Sequence, residues 1–313
     1  MASWDVRHLP RAEGKRFLVT GGNAGIGYFV AEQLAGTGAT VVLGCRDAAK
    51  AEAARAAISG RVPGARVRHI RLDLADPSSI KAAPDALGPE GPERLDAVVC
   101  NAGVLFDQPR RRVTEDGVEL MFATNHLGHF ALIHWLAPLL TATPASRVVT
   151  TGSFTAKSES LDLDDLQSTR DYRPKRAYAR SKLAQMLFGF ELDRRLRAAG
   201  STTLSVVTHP GGALDSLTPA RPPVHLPTTG ERLRGLPAGL LLQGKEAAAR
   251  PAVRAVLDPS VRGGQLWGPR VLGIRGLPAP EPVRGHLADV ELAARVWAAS
   301  SALTGLDPGS NLG

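Results

Sequence analysis

Cysteine is nearly missing from this sequence: Cys45 and Cys100 are the only two in 313 residues, and they form no CxxC pair. That excludes a disulfide framework and points to a reducing compartment, so a cytoplasmic location is expected. Aromatic residues are also sparse, at 5%, whereas alanine and glycine are plentiful, which suits helices packed closely on a sheet. Long apolar runs are absent. The longest, Phe130 to Leu140, is broken by His134 and Pro138 and falls far short of the ~20 residues a membrane span needs. The opening Met1-Ala2-Ser3-Trp4-Asp5 has no apolar core of the signal-peptide kind. No internal repeat and no nucleic-acid-binding motif is visible. Lys and Arg total 38 against 30 Asp and Glu, a formal charge of +8, and the pI is about 10.0. Such a balance raises nucleic acid or acidic partners. The basic residues are scattered, however, with local clusters only at 110–112 and 173–176. They read as a solvated surface, and no nucleic-acid partner and no membrane span are expected. Nucleic-acid binding would announce itself by steep salt dependence.

What is present begins with a strand-like run, Lys15 to Thr20, that feeds Gly21-Gly22-Asn23-Ala24-Gly25-Ile26-Gly27. A helix over Ile26 to Thr37 and a buried strand over Thr40 to Gly44 should follow. Strand, glycine turn, helix and strand make one βαβ unit. Its glycines permit a tight turn, close backbone approach to a pyrophosphate at the helix N-terminus, and helix–strand packing. Gly21, Asn23, Ala24, Gly25, Ile26 and Gly27 are therefore candidate dinucleotide-binding residues.

The end of the second strand bears on which dinucleotide. An NAD site usually carries an acid there for the ribose 2′-hydroxyl, whereas an arginine accommodates a 2′-phosphate. Here Cys45 replaces the acid and Arg46 follows. A neutral residue removes repulsion, and a guanidinium offers a phosphate paired hydrogen bonds. NADP(H) is preferred on this reading, with NAD(H) the alternative. Asp47 either blunts this preference or caps a helix over Ala48 to Ser59. A third strand, Val67 to Leu72, ends in Asp73-Leu74; Asp73 either meets the adenine amine or caps the helix that starts near Pro77. A fourth strand, Leu95 to Cys100, leads into Asn101-Ala102-Gly103, small residues past which a ribose can lie. In a sheet ordered 3-2-1-4, Cys45 and Cys100 stand two strand spacings apart, ~9–10 Å, too far for a disulfide.

Chemistry enters with Tyr178 and Lys182, four residues apart and so on one face of a helix. A free phenol titrates near ~10. A nearby ammonium favours the phenolate, which makes the pair a candidate general acid/base for an alcohol or carbonyl oxygen. A surface tyrosine beside a solvated lysine would look the same in isolation. Ser153 follows the fifth strand, Arg147 to Thr151, where open α/β sheets bind ligands; it can donate to a substrate oxygen or merely cap a turn. Asn125 lies within a helix read over Glu115 to Leu140, and a buried asparagine there needs polar partners. His126, His129 and His134 have spacings that build no convincing metal face, so no metal is expected. A sixth strand, Leu204 to Thr208, precedes His209-Pro210-Gly211. The stretch from Pro219 to Gly239 reads as an irregular lid, and 263–269 as the last strand and turn. Leu214, Leu217, Val224, Leu226, Leu233 and Leu236 either line an apolar pocket or serve helix packing.

Taken in order, these motifs resemble the short-chain dehydrogenase/reductase superfamily through nearly the whole chain. Thr20 to Gly27 is similar to the family's cofactor loop and Asn101-Ala102-Gly103 to its turn after the fourth strand. Asn125, Ser153, Tyr178 and Lys182 fall where its catalytic tetrad would be. Cys45-Arg46, the run Asn125 to Phe130, Ser181 to Ala184, His209-Pro210-Gly211 and the tail from Ala293 to Thr304 are similar to the NADP-preferring branch that holds retinol dehydrogenases and protochlorophyllide reductases. The resemblance implies an α/β fold: one doubly wound (Rossmann) domain over 1–313, with about seven parallel strands and helices on both faces. Residues 15–212 would form the cofactor and catalytic core and 213–313 the substrate loop and C-terminal elements. It implies hydride transfer between NADP(H) and a small-molecule carbonyl or alcohol, with an apolar substrate as the guess. Tyr178 would exchange the proton, Lys182 would lower its pKa and hold the nicotinamide ribose, and Ser153 would position the substrate oxygen. Asn125 would hold a water linking Lys182 to solvent. Asp73, Leu74, Pro210 and Gly211 complete the implied cofactor contacts, and a homo-oligomer is compatible with all of this. Two departures stand out. Asp215, followed by Ser216, occupies the place where the family usually has a threonine touching the nicotinamide carboxamide; either Ser216 takes that role after a local shift or the contact differs. The N-terminal apolar anchor of membrane-bound relatives has no counterpart here. A regulatory protein that binds NADP(H) with little turnover is the competing reading.

Overall fold

The computed structural model describes residues 4–88 and 94–311. Its frame is an eight-stranded sheet built from β1 (Arg16–Thr20), β2 (Thr40–Cys45), β3 (Arg66–Arg71), β4 (Ala97–Cys100), β5 (Arg147–Thr151), β6 (Leu204–Thr208), β7 (Leu266–Val271) and β8 (Arg275–Glu281). Written along the sheet the order is 8-7-6-5-4-1-2-3. Every neighbouring pair is parallel except β7–β8. The seven expected parallel strands thus gain an antiparallel edge strand, whose proline-rich sequence, Arg-Gly-Leu-Pro-Ala-Pro-Glu, gives little strand signal.

Strand alternation decides which helices cover which face. Phe17 and Val19 of β1 enter one core, with Tyr28, Phe29, Val253 and Trp267. Leu18 points the other way, toward Phe130, Leu132, Phe188 and Trp297. Helices Gly25–Ala35, Ala48–Arg61 and Arg250–Leu257 therefore cover the first face. Gly128–Thr141 and Pro174–Ala198 cover the second, and Val290–Thr304 packs on Pro174–Ala198. The rings of Phe130, Phe188 and Trp297 meet at 5.1 to 5.6 Å, and burying side chains of this size contributes about 1.5–3 kcal/mol each.

Three local expectations change. The helix read over Glu115 to Leu140 begins later and is interrupted. Glu119 caps the turn Leu120–Phe122 by accepting from the Met121 and Phe122 amides at 3.0 and 2.6 Å, a π turn spans Ala123–Leu127, and the regular helix is Gly128–Thr141. Such a turn leaves backbone groups out of register and recurs at functional sites. The helix starting at Pro77 is capped by Asp76, which accepts from the Ser78 and Ser79 amides, whereas Asp73 touches it only through its own amide, which donates to Ser79 Oγ at 2.9 Å. The lid is less irregular than its composition suggests. Thr228 and Glu231 form a reciprocal capping box that starts a short helix, Thr229–Gly235.

The two sheet edges are blunted differently. β3 carries Arg66, Arg68 and Arg71. On β8, Ala279 and Glu281 stand opposite Gly268 and Leu266. Because Trp267 turns its carbonyl to His209 of the β6 side, Gly268 and Leu266 face β8. The outward backbone positions of β8 then fall on Pro278 and Pro280, which have no N–H to offer.

Candidate active site

The carboxyl ends of the parallel strands open into a cleft of about 940 Å³, where a doubly wound sheet binds its ligand. Gly21 leaves β1 with φ +66 and places its bare Cα against Ala102, whose Cα would lie 3.0 Å from an added Cβ. Gly25 follows at φ +58 and faces open space, so the chain turns left-handed twice without side chains in the way. The helix it starts, Gly25–Ala35, has no side-chain cap and no acidic residue in its first turn. Its free N–H groups and positive end suit a phosphate. Asn23, Ala24 and Ile26 line the cleft beside them. Gly27 does not; a Cβ there would strike the Asn101 side chain and the Gly21 carbonyl at 2.4 Å. Its role is close packing of helix on strand.

Thr20 ties this loop to the turn after β4. Its Oγ1 accepts from the amides of Asn101 and Ala102, both at 2.9 Å. It also meets His129 Nε2 at 2.9 Å. His129 Nδ1 lies 3.2 Å from the Asn125 carbonyl, a pure acceptor, so Nδ1 carries the proton and Nε2 takes that of the threonine. Burial holds His129 near 3 and His126 near 4, both well below an ordinary imidazole. His126 Nε2 meets Ser300 Oγ at 2.7 Å and His134 Nδ1 donates to the Asp307 carbonyl at 2.8 Å. The contact between Thr20 and His129 was not read from the sequence; the one available signal is that His129 follows Asn125 by a helical turn.

Asn125 sits behind the cleft. Its Oδ1 accepts from Val104 N at 2.7 Å, and its Nδ2 reaches the Val104 carbonyl at 3.0 Å and Ser181 Oγ at 2.9 Å. The side chain clamps the turn after β4 to the Tyr178 helix, with both Nδ2 protons used and one Oδ1 lone pair left over. Gly103 fits over this clamp because it has no side chain; a Cβ would meet Asn125 Oδ1 at 3.3 Å and lie 3.7 Å from Lys182 Nζ.

Tyr178 and Lys182 both line the cleft from helix Pro174–Ala198. Lys182 is buried and donates to the Thr151 carbonyl at 2.5 Å. Burial brings its pKa down to about 8, partly offset by the neighbouring Cys100 thiol. Burial also pushes the Tyr178 phenol above its ordinary value, and the Ser153 hydroxyl beside it draws it back. A lowering by Lys182 was expected from the four-residue spacing. In this state the ammonium is turned to the end of β5, and desolvation of the phenol prevails. Ser153 also caps the 3₁₀ turn Phe154–Ser158, accepting from Thr155 N at 3.3 Å, so both uses read for it are compatible.

At the opposite end of the cleft stand Arg46, Asp73 and Leu74. Arg46 is exposed, with Nε 4.0 Å from Asp73 Oδ2, and Asp73 accepts from Ala75 N at 3.0 Å. Asp47 caps its helix through Lys50 N at 3.0 Å, and Lys50 adds a second cation to this wall. Cys45 and Cys100 are both free and buried. Pro210 closes the wall near Tyr178. Gly211, at φ +69, turns away against the Ile274 carbonyl, which an added Cβ would meet at 2.3 Å.

Asp215 also lines the cleft, paired with Lys245 Nζ at 2.5 Å. Ser216 does not: its Oγ packs under the lid helix, 2.1 Å from a Cβ placed on Gly235. The acid itself thus stands at the wall, and nothing in the sequence marks its lysine. Beyond Asp215 lies a second cavity of about 680 Å³ that includes Leu214, Ser216, His225 and Leu226. Val224 instead packs on the first core, and Leu233 and Leu236 are exposed. The lid above this cavity is fastened at both ends. Arg221 is buried against Glu32 at 2.7 Å and reaches Glu246 at 2.9 Å, while Gln243 donates to the Pro210 carbonyl at 3.0 Å.

Residues 15–163 match the family model described as short chain dehydrogenase. Human retinol dehydrogenase 13 is 37% identical over 296 residues, covering 94% of this chain and 86% of that one. The chain belongs to the short-chain dehydrogenase family. Human retinol dehydrogenase 14 is 34% identical over 310 residues, covering 94% of this chain and 87% of that one. Among solved structures, an uncharacterized Mycobacterium paratuberculosis protein superimposes with a TM-score of 0.76 at 34% identity, covering 98% of this chain and 99% of that one. A Burkholderia cenocepacia short chain dehydrogenase in complex with NADP gives 0.60 at 26% identity, over 81% and 95%. Within the short-chain dehydrogenase family, then, this chain is similar to retinol dehydrogenases, and it has the fold of a family of oxidoreductases that bind nicotinamide cofactors.

Proposed function

We propose that this short-chain dehydrogenase interconverts an apolar carbonyl compound and its alcohol with NADP(H). The observation that carries the reading is that Tyr178, with the Ser153 hydroxyl beside its phenol, and Lys182 line one end of a cleft whose other end presents a bare glycine turn and an uncapped helix N-terminus. The nicotinamide, when bound, supplies or accepts the hydride. In reduction Tyr178 donates its phenolic proton to the substrate oxygen, and in oxidation it removes that proton. The Lys182 ammonium stabilises the phenolate left behind and holds the ribose hydroxyls. Ser153 donates to the substrate oxygen as charge develops on it. Arg46 and Lys50, with no acid at position 45, hold a 2′-phosphate. Asp215 and Lys245 replace the usual threonine near the carboxamide. The second cavity, where Leu214, Leu226 and Pro227 stand beside His225, Glu231 and Arg234, receives the body of the substrate, and the similarity to retinol dehydrogenases makes long apolar aldehydes the first compounds to try. The cytoplasm supplies the reducing setting for the two free thiols.

The test follows cofactor absorbance with retinoid, steroid, aliphatic and aromatic carbonyls, NADPH and NADH side by side. Turnover with NADPH should be seen for one class and should vanish in Tyr178→Phe, with NADPH binding retained. Substantial turnover in that variant would sink the assignment. Arg46→Ala should weaken NADPH binding about tenfold, as loss of a charged hydrogen bond does, and leave NADH unchanged; equal losses for both would remove the 2′-phosphate argument. Tight NADPH binding with silence across the panel would favour the regulatory reading.

A further inference from the structure

We propose that the lid and the tip of the β7–β8 hairpin form one surface that docks on an anionic lipid bilayer. The corollary that substrate enters from the bilayer rests on the apolar-substrate reading above; the docking does not.

Leu233, Leu236, Leu240 and Leu241 of the lid are all exposed, Leu240 by 79%. At the hairpin tip Val271 and Leu272 are exposed as well, Leu272 by 81%. A soluble monomer seldom leaves so many large aliphatic side chains on one patch. The two segments are physically joined. Arg275 of β8 donates to the carbonyls of Gly239 and Leu240, both at 2.6 Å, and Gly276 N donates to Gln243 Oε1 at 3.0 Å. The lid's leucines and the hairpin's are therefore carried together, beside the cavity that Asp215 connects to the cofactor cleft.

Charge selects the occupant. Across 226–241 and 268–277 there are four arginines, at 232, 234, 270 and 275, and one acid, Glu231. That acid is turned back on Thr228, taking its N and Oγ1 at 2.8 Å each. Arg275 is held by the Gly239 and Leu240 carbonyls and Arg234 lines the second cavity, which leaves Arg232 and Arg270 in the same segments as the leucines, a combination complementary to an anionic headgroup layer over acyl chains. A second copy fits poorly, because an isologous contact about a twofold axis would set arginines against arginines. Closure of the lid over a bound ligand would bury its own leucines but not those of the hairpin, which belong to the sheet edge. Among the described residues no helix is long and apolar enough to cross a membrane, and the docking proposed here is of a surface and not of a span.

The full chain is mixed with vesicles of phosphatidylcholine alone and of phosphatidylcholine with phosphatidylserine, then floated on a density gradient. It should float with the anionic vesicles, less so at raised salt. Leu240→Ser/Leu241→Ser/Leu272→Ser should remain at the bottom, and Arg232→Ala and Arg270→Ala should each weaken flotation about fivefold. NADPH binding and melting temperature, measured on the same variants, separate loss of docking from loss of fold. Failure of the whole carbonyl panel would leave these outcomes untouched, so the two readings fail separately. The proposal is overturned if the chain ignores both vesicle types. It is equally overturned if flotation survives the leucine substitutions, which would mean a diffuse attraction of a basic protein, or if light scattering finds a dimer that those substitutions dissolve.

Discussion

Burial brings the Lys182 ammonium down to about 8 and simultaneously raises the Tyr178 phenol. Both shifts have one origin, desolvation, and each favours the neutral form, so the lysine moves down and the phenol moves up. Below about 8 the lysine is charged and can stabilise a phenolate. Above it the charge is lost while the phenol still keeps its proton. The rate of carbonyl reduction should therefore fall as pH rises through about 8. Lys182→Arg, whose charge persists, should move that alkaline limb upward at reduced overall rate. A limb that stays in place in the arginine variant would assign it to another group. From the sequence the Tyr-Lys spacing was visible and the sign of the phenol's shift was not, because spacing says nothing of how dry a helix face becomes. Asp215 is a similar case. Its departure from the family pattern could be read from the sequence, but its pairing with Lys245, thirty residues on, is a product of tertiary folding.

Among elements, the π turn Ala123–Leu127 connects the most groups. It presents the Asn125 amide to Val104 and Ser181 and leaves the Asn125 carbonyl to His129, which in turn holds Thr20. Asn125→Ala removes the partners of both Val104 backbone groups, and each buried polar group left unpaired costs about 1–3 kcal/mol. Urea unfolding should show a loss of about 3 kcal/mol, with NADPH binding weakened because Asn101 to Gly103 line the cleft. Unchanged cofactor affinity in the folded variant would detach this clamp from the site. Strands β1 to β6 and the glycine turn were legible from sequence, since each strand carries a short run with apolar residues that is followed by a turn-forming stretch. The π turn and β8 were not. Helical periodicity cannot register a one-residue insertion, and the prolines that make β8 a safe edge also erase its strand signature. The lid helix was missed for a related reason: its capping box, Thr228 to Glu231, lies in a Pro- and Gly-rich stretch.

Across the whole molecule, the core on the second sheet face encloses titratable groups that have to stay neutral. His126 and His129 are buried, with pKa values of about 4 and 3. The unfolded chain binds protons at these positions near ~6.5, so between about 6.5 and 4 it holds more protons than the native state. The contribution of these two histidines is then flat above neutrality and falls as pH drops through that window. For His126 alone the loss amounts to about 3 kcal/mol at the acid end. The melting temperature should drop between pH ~7.5 and ~5, and His126→Gln should flatten the decline. An equally steep decline in that variant would place the acid sensitivity elsewhere. The sheet edges bear on a different hazard. A partly unfolded neighbour seeking a strand to pair with finds arginines along β3, and on β8 it finds carbonyls at Pro278 and Pro280 but no donors. Half of every prospective ladder is therefore missing on one side, and on the other side it is set among like charges. Crowded or warmed samples of this protein should consequently lose material through its leucine-bearing lid before they polymerise through the sheet.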